Sequence, residues 1–354
     1  MTRVAMCGWE TGSINQIGNV TIATNGAVAV VTATPTPRSG SYCLKVSSGT
    51  NANVRDACGV AIGLSGSPAE HYGRVGVWLS TAGGDPNRYR ILLEFFDSLS
   101  GLQLRLVYAN LNGALQLWRG GTVIATTAPI NLQTWHLFEW HVIVNASSGV
   151  FELRVNGTQV ITFSGNTLNT ANVNIGSLRL SAYEDAWDTG YQIFAGYDDL
   201  GINTTAGSVN NSWLGDGSIR ALVPNGVGST IGGTPLTGVP GAPNWQNVDD
   251  VPPSTTDYNY GSAVGTGEMY ALTDLSGVGN AYAVNIIAYA LNSDAGGGSI
   301  GLTLNTGAAN NEGSAQAITA SAGFYNRLLE TDPTDSTAWT QTKLNALQVG
   351  ITVR

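Results

Sequence analysis

The 354-residue chain is predicted to be all-β. An antiparallel sandwich is expected over residues 1–202 and a linker over 203–212. A second, smaller β-rich domain with one short C-terminal helix is expected over 213–354. Three observations carry this. Charged residues make up 11% of the chain and glycine numbers 46, a mix that favours turns and strands over helices. Short apolar segments alternate with period two, the signature of half-buried strands. Turn chemistry separates them at even spacing, with no credible helix in the first 200 or so residues.

The segments justify this in order. Val28-Ala-Val-Val, Tyr42-Cys-Leu-Lys-Val and Gly59-Val-Ala-Ile-Gly-Leu are short strands, broken by Gly-Ser and by Thr34-Pro-Thr-Pro-Arg-Ser-Gly. Val75, Val77 and Leu79 share a face, as do residues 89, 91, 93 and 95, and residues 102, 104, 106 and 108. Arg119-Gly120-Gly121 reads as a three-residue hairpin loop. In Trp135–Val144, His136, Phe138, Trp140, Val142 and Val144 face one way and Leu137, Glu139, His141 and Ile143 the other. Asn156-Gly157 between Phe151–Val155 and Gln159–Phe163 is the strongest hairpin signal in the chain. Tyr191, Ile193, Ala195 and Tyr197 alternate up to the pair Asp198-Asp199, closing the sandwich.

Asn203–Ser212 is a run of small polar residues that cannot hold a core. Beyond Trp213, loops lead to strands at Met269–Thr273, Ala281–Leu291 and Ser299–Leu304. The middle one is apolar on both faces, so a central position is expected. A helix is expected from Thr337 to Leu347, capped by Asp335 or Ser336, with Trp339, Leu344 and Leu347 inward. Val349, Ile351 and Val353 form a final strand.

The net charge of −9 is uneven: residues 1–205 hold 11 basic and 13 acidic side chains, residues 206–354 hold 4 and 11. An acidic surface argues against nucleic acid as a partner. Cys7, Cys43 and Cys58 read as buried free thiols. No signal peptide and no apolar run of about 18 residues is seen, so synthesis in the cytosol without membrane insertion is expected. His71, His136 and His141 lack metal-ligand spacing and read as structural. No G-x-S-x-G elbow is present. Trp118, Tyr183 and Trp187 fall at strand ends or loops, where a sugar ring could stack; they are the candidate glycan residues.

Several of these residues form an ordered pattern: Trp135-His-x-x-Glu139-Trp140, Gly149-x-Phe-Glu-Leu-Arg-Val-Asn156-Gly157 and Gly196-Tyr-Asp-Asp-Leu200. The pattern resembles concanavalin A-like (laminin G-like) jelly rolls. Gly8-Trp9-Glu10-Thr11-Gly12 is similar to the first strand of versions found in virion proteins of tailed bacteriophages. Downstream, Asn210-Asn-Ser-Trp-Leu-Gly-Asp-Gly, Trp245-x-x-Val-Asp-Asp-Val-Pro-Pro, Leu329-Glu-Thr-Asp-Pro…Trp339 and Asn345-Ala-Leu-Gln-Val-Gly-Ile resemble the same proteins. The resemblance implies a virion structural protein on the capsid or tail surface, a decoration or minor tail protein that contacts other virion proteins as a homo-oligomer, with a trimer expected. The alternative is a host-glycan adhesion protein, and a third reading is a glycan depolymerase.

The resemblance also bears on sites. Asp198 and Asp199, with Asp185 a loop away, sit where laminin G-like domains help ligate calcium, so a calcium site is a candidate there; the competing reading is an Asp that bonds the backbone where the strand leaves the sheet. No other cofactor is expected. Glucanases of this fold carry a Glu-x-Asp-x-x-Glu strand that this chain lacks. Glu94 and Asp97 are three apart, point to opposite faces and read as solvated edge groups. No catalytic residues, and no enzyme, are therefore expected.

Overall fold

The computed structural model describes residues 3–17, 20–23, 26–49, 58–81, 87–184, 192–241, 243–294, 296–307 and 309–354. It divides into two units, one holding Thr2–Ile14 and Gly18–Arg220, the other Asn15–Ile17 and Ala221–Arg354.

The first unit is a jelly-roll-like sandwich of strands β1 (Arg3–Cys7), β2 (Val20–Ala23), β3 (Ala27–Val31), β4 (Cys43–Ser47), β5 (Cys58–Gly63), β6 (Glu70–Leu79), β7 (Tyr89–Phe96), β8 (Leu102–Ala109), β9 (Ala114–Arg119), β10 (Thr122–Pro129), β11 (Trp135–Ile143), β12 (Gly149–Val155), β13 (Thr158–Gly165), β14 (Ser177–Glu184) and β15 (Phe194–Thr204). The first sheet runs β13-β12-β11-β6-β15-β4-β3, with β1 also on β15; the second runs β10-β9-β8-β7-β14-β5-β2. The alternating residues of β6, β11 and β12 face the second sheet and form the core. Phe95 there meets Trp140 and Phe151 edge-on, at 5.9 and 5.8 Å between centroids, a geometry worth about 0.5–1.5 kcal/mol per pair beyond burial.

Two turns follow from residue chemistry. Asn156 and Gly157 both take positive φ, 51° and 78°, as a two-residue hairpin between β12 and β13 requires. Thr122 pairs directly with Arg119, so that hairpin loop is Gly120-Gly121 alone, one residue shorter than the sequence suggests. Gly73 of β6 has a packing reason: a Cβ there would lie 2.0 Å from Cζ2 of the buried Trp140. Gly73→Ala is expected to cost at least about 1–3 kcal/mol through overpacking, measured as a shift in the denaturant midpoint with an unchanged slope. All three cysteines are buried, and none is in a disulfide.

Strand β15 changes partner midway. Phe194–Tyr197 pair with β4, while Leu200–Asn203 pair with β1. Asp198 and Asp199 occupy the changeover, and the register against β6 shifts between Asp198 and Gly201. The carboxylate pair therefore lies within the sheet rather than at the strand's end.

Residues 213–220 belong with the sandwich by their contacts, although a second domain is expected to begin at Trp213. The Trp213 ring covers the Arg154 guanidinium at 3.7 Å and meets Tyr72 at 5.4 Å. Gly215 N–H donates to Glu139 (2.7 Å), and Ile219 N–H donates to Asp199 (2.6 Å). Sequence shows the small residues of this stretch but not the sheet face that receives them.

The second unit contains β16 (Pro224–Ile231), β17 (Thr237–Val239), β18 (Tyr258–Tyr260), β19 (Gly267–Leu272), β20 (Val284–Ala290), β21 (Gly298–Asn305), β22 (Asn311–Glu312), β23 (Gln316–Ile318), β24 (Gly323–Leu329), α1 (Gln341–Asn345) and β25 (Gln348–Val353). Its main sheet runs β16-β19-β25-β21-β22, with β23 also on β21. Strand β25 is thus paired on both sides. The apolar β20 is not central; it forms a two-stranded ribbon with β24. Only its Ile286 is buried, in a cluster with Leu302, Leu304, Trp339, Leu344 and Leu347. The helix is one turn or so, capped by Thr340, whose hydroxyl accepts from Lys343 N–H. Asp335 instead accepts from Thr337 N–H (3.0 Å) and pairs with Lys343 (2.6 Å), which ends the preceding loop. Trp339, Leu344 and Leu347 are buried as expected.

Candidate functional site

Strand alternation alone places residues 89, 91, 93 and 95 on one face. A bulge between Ile91 and Leu93 divides them. Leu93 and Phe95 enter the core, while Tyr89 and Ile91 emerge on the outer face of the second sheet. A matching shift between Leu180 and Tyr183 brings Tyr183 to that face. There Ile91, Val107 and Tyr183 form a small cluster of their own, with Tyr89 and Trp118 packed against it.

Register then builds a row across four strands. Trp118 of β9 stands opposite Arg105 of β8, Arg105 opposite Glu94 of β7, and Glu94 opposite Arg179 of β14. The Arg105 guanidinium lies 4.8 Å from the Trp118 ring centre, and Tyr89 meets that ring edge-on at 4.9 Å. The Trp118 indole N–H donates to Gln116 Oε1 at 3.1 Å. Arg179 covers Phe96 at 4.4 Å.

Glu94 is the centre of this row and is 2% exposed. It accepts from Tyr183 OH (2.8 Å), Ser181 Oγ (3.0 Å) and Arg179 Nη1 (3.2 Å). It is therefore not the solvated edge group that the sequence suggests; strand pairing surrounds it with donors. Burial, reinforced by the neighbouring Glu94 charge, pushes the Tyr183 phenol well above its usual range, so it stays protonated and donates. Asp97 is likewise buried: it accepts from Leu99 N–H, Gly101 N–H, Thr170 Oγ1 and Asn172 Nδ2. These donors outweigh the opposing burial effect and bring its carboxyl down to about 2.

The two candidate glycan residues described, Trp118 and Tyr183, thus come together on one surface. Tyr183 contributes as a hydrogen-bonded support rather than as an open ring. Trp187 and Asp185 lie outside the described residues. The sequence-level signal for the rest of the site was the polar residue set between apolar ones on three strands, Glu94, Arg105 and Arg179. Which strands are neighbours is not written locally.

The Asp198-Asp199 pair is occupied by the protein's own donors. Asp198 Oδ2 accepts from Arg38 and Ser39 N–H at 2.9 and 3.1 Å, and Oδ1 from Asp199 N–H at 2.8 Å. Asp199 binds Arg38 Nη1 (2.6 Å), Ser39 Oγ (2.7 Å) and Ile219 N–H. Burial first, and then Asp199, pushes the Asp198 carboxyl up to about 8. Among the described residues no group of three or more His, Cys, Asp or Glu side chains is placed to hold a metal ion. His136 bonds Asn131 and Asn156, and His141 lies between Glu70 and Glu152.

No protein-family profile and no curated protein sequence matches this chain. Solved structures do. Cellulose induced protein Cip1 is 18% identical, with 61% of this chain and 98% of that one covered and a TM-score of 0.43. Alginate lyase Aly36B is 16% identical (52% and 96% covered, TM-score 0.37), and a GH131 β-glucanase catalytic domain from Podospora anserina is 12% identical (59% and 94%, 0.39). At these identities and scores the function of those proteins does not transfer, and the sandwich is read from its own two sheets. One expectation is corrected: the exclusion of enzymatic activity does not stand. It rested on a missing glucanase strand pattern and on a solvated Glu94, and Glu94 is instead a buried, donor-ringed carboxylate.

Proposed function

We propose that the sandwich binds carbohydrate on the outer face of its second sheet. The observation that carries this is the cross-strand row Trp118–Arg105–Glu94–Arg179, flanked by Tyr89 and backed by Tyr183. Half-buried aromatic rings offer flat apolar faces, and two planar guanidinium groups offer paired donors for hydroxyl or carboxylate oxygens. Two arginines against one glutamate leave the row with a net positive charge, which favours acidic sugars. Glu94 is a carboxylate within this row, so turnover of the bound glycan is part of what is tested.

The experiment is a panel of alginate, polygalacturonate and neutral laminarin, read for binding and for shortened products. Binding to an acidic polymer, weakened about tenfold or more by Trp118→Ala and by Arg105→Ala, is expected. Salt should weaken it further if the guanidinium contacts remain partly solvated. Absence of binding across the panel, or binding indifferent to both variants, rejects this reading. The setting we propose, on the sequence resemblance alone, is the surface of a tailed-phage particle as a homo-oligomer. Mass spectrometry of purified particles checks the first point and sedimentation the second.

A further inference from the structure

A separate groove lies on the outer face of the first sheet. Its described lining includes Pro35, Trp78, Thr81, Gln133, Trp135 and Phe194, around a volume of about 590 Å³, within the range of small-ligand sites. Strand register makes its floor: Trp135 of β11 stands opposite Trp78 of β6, and Trp78 opposite Gly196 of β15. Trp78 and Phe194 stack at 5.2 Å with an interplanar angle of 19°. A Cβ on Gly196 would lie 2.5 Å from Pro35 Cγ and 3.2 Å from the Trp135 ring, so the missing side chain lets strap and ring converge there. The three rings are only half-buried.

We infer that this groove is a second binding site, for a neutral oligosaccharide. Three features select that class. The lining residues themselves are uncharged, so a basic ligand finds no counter-charge in the groove, and the cation against its rings is Lys45, whose Nζ lies 4.1 Å over Phe194 at the edge. The floor offers aromatic faces while Thr81, Gln133 and Thr36 supply polar groups at the rim, the combination a pyranose needs for its apolar face and its hydroxyls. A proline-rich peptide is the other ligand that aromatic grooves take. Here the chain's own Thr34-Pro35-Thr36-Pro37 already fills that role, because the Trp135 indole N–H donates to Thr36 O at 2.9 Å. Trp135 also borders an adjoining cleft of about 370 Å³ whose lining includes Leu137, Asn156, Glu139 and the ion pair of Arg38 with Asp216. A ligand longer than one sugar can therefore continue past that ring. The inference does not depend on the acidic-glycan reading of the opposite sheet, since no residue is shared.

The test titrates the full chain with cellohexaose, laminarihexaose, maltohexaose and mannohexaose by calorimetry, with tryptophan fluorescence as a second readout. At least one hexasaccharide is expected to bind, with affinity reduced about tenfold or more in Trp78→Leu and largely restored in Trp78→Tyr. Phe194→Leu, which keeps apolar volume but removes a ring face, should weaken binding while leaving the thermal transition in place; this separates loss of the site from loss of the fold. Exposed Leu111→Ser serves as the control and should bind as wild type. Failure of all four sugars to bind overturns the inference. So does binding that survives Trp78→Leu and Phe194→Leu, or that is lost only in Trp118→Ala, which would place it on the other sheet.

Discussion

Replacing Asp199 by alanine is expected to destabilise the sandwich by about 3–5 kcal/mol, the usual cost of removing one partner from a buried ion pair. The side chain is fully buried and holds Arg38 Nη1 at 2.6 Å, Ser39 Oγ at 2.7 Å and Ile219 N–H at 2.6 Å. Its loss leaves a guanidinium that is itself largely covered without its main counter-charge. Backbone conformation adds to this: Asp199 has φ +54°, where alanine is strained and aspartate is better tolerated. Asp199→Gly should therefore cost about 1 kcal/mol less than Asp199→Ala. Arg38→Leu combined with Asp199→Gly should recover part of the deficit, because no unpaired charge then remains buried. The same bonds hold residues 213–220 against the first sheet, since Arg38 also binds Gly217 O and Asp216. Limited proteolysis near Ser212–Arg220 should accelerate in the alanine variant. A loss of stability below about 1 kcal/mol would place the pair among surface salt bridges and sink this account.

Acidification should weaken the fold through His71. The imidazole is fully buried on the inner side of β6, near Phe95 and Trp140, and neither ring nitrogen has a hydrogen-bond partner among the described residues. Burial, with a smaller effect of His141, holds it down at about 3 against an ordinary value of 6.5. Below the ordinary value the unfolded chain takes up a proton that the folded chain refuses. Stability present above pH 6.5 is then lost as pH falls towards 3, at about 1.4 kcal/mol per pH unit. Asp198 acts in the opposite sense. Its folded carboxyl, raised to about 8 from 3.8, binds a proton that the unfolded chain has released, so its contribution is lost as pH rises through that window. Between pH 3.8 and 6.5 the two slopes oppose each other, so denaturant titrations should show His71→Leu gaining stability relative to wild type as pH falls through that window, with the pH dependence above 6.5 unchanged. At pH 8 that variant should be close to wild type, because the lost ring volume is offset by removing two unpaired polar atoms. An acid limb of unchanged slope in His71→Leu would rule out the imidazole as its source.

Much of the architecture was legible locally. Alternation marked the strands around Leu102–Tyr108 and Trp135–Val144, and Asn156-Gly157 marked its hairpin, because side-chain period and positive φ are properties of a few adjacent residues. The candidate site was legible only in pieces. Trp118 and Tyr183 were visible as aromatics near strand ends, but Glu94 read as solvated. Its burial depends on Arg179, Ser181 and Tyr183, contributed by a strand some 85–89 positions away in sequence. The β7 bulge that sends Ile91 outward and Leu93 inward leaves no trace in an all-apolar run, since either face accepts the same residues. The same ambiguity misplaced β20: an apolar run on both faces signals burial, not which sheet supplies it.

Composition, period and turn residues by themselves determined that this chain is all-β, that a sandwich comes first and that a β-rich unit with a short helix follows. These are short-range properties, set by the backbone conformations each residue permits and by the faces that must leave water. Only the tertiary structure decided which strands lie side by side. That choice placed Asp198 and Asp199 where β15 exchanges β4 for β1, aligned Trp118, Arg105, Glu94 and Arg179 in one row, and opened the Trp78–Trp135–Phe194 groove on the other sheet. Charges and rings act over a few ångströms, and in an antiparallel sandwich those ångströms join residues that the sequence holds far apart.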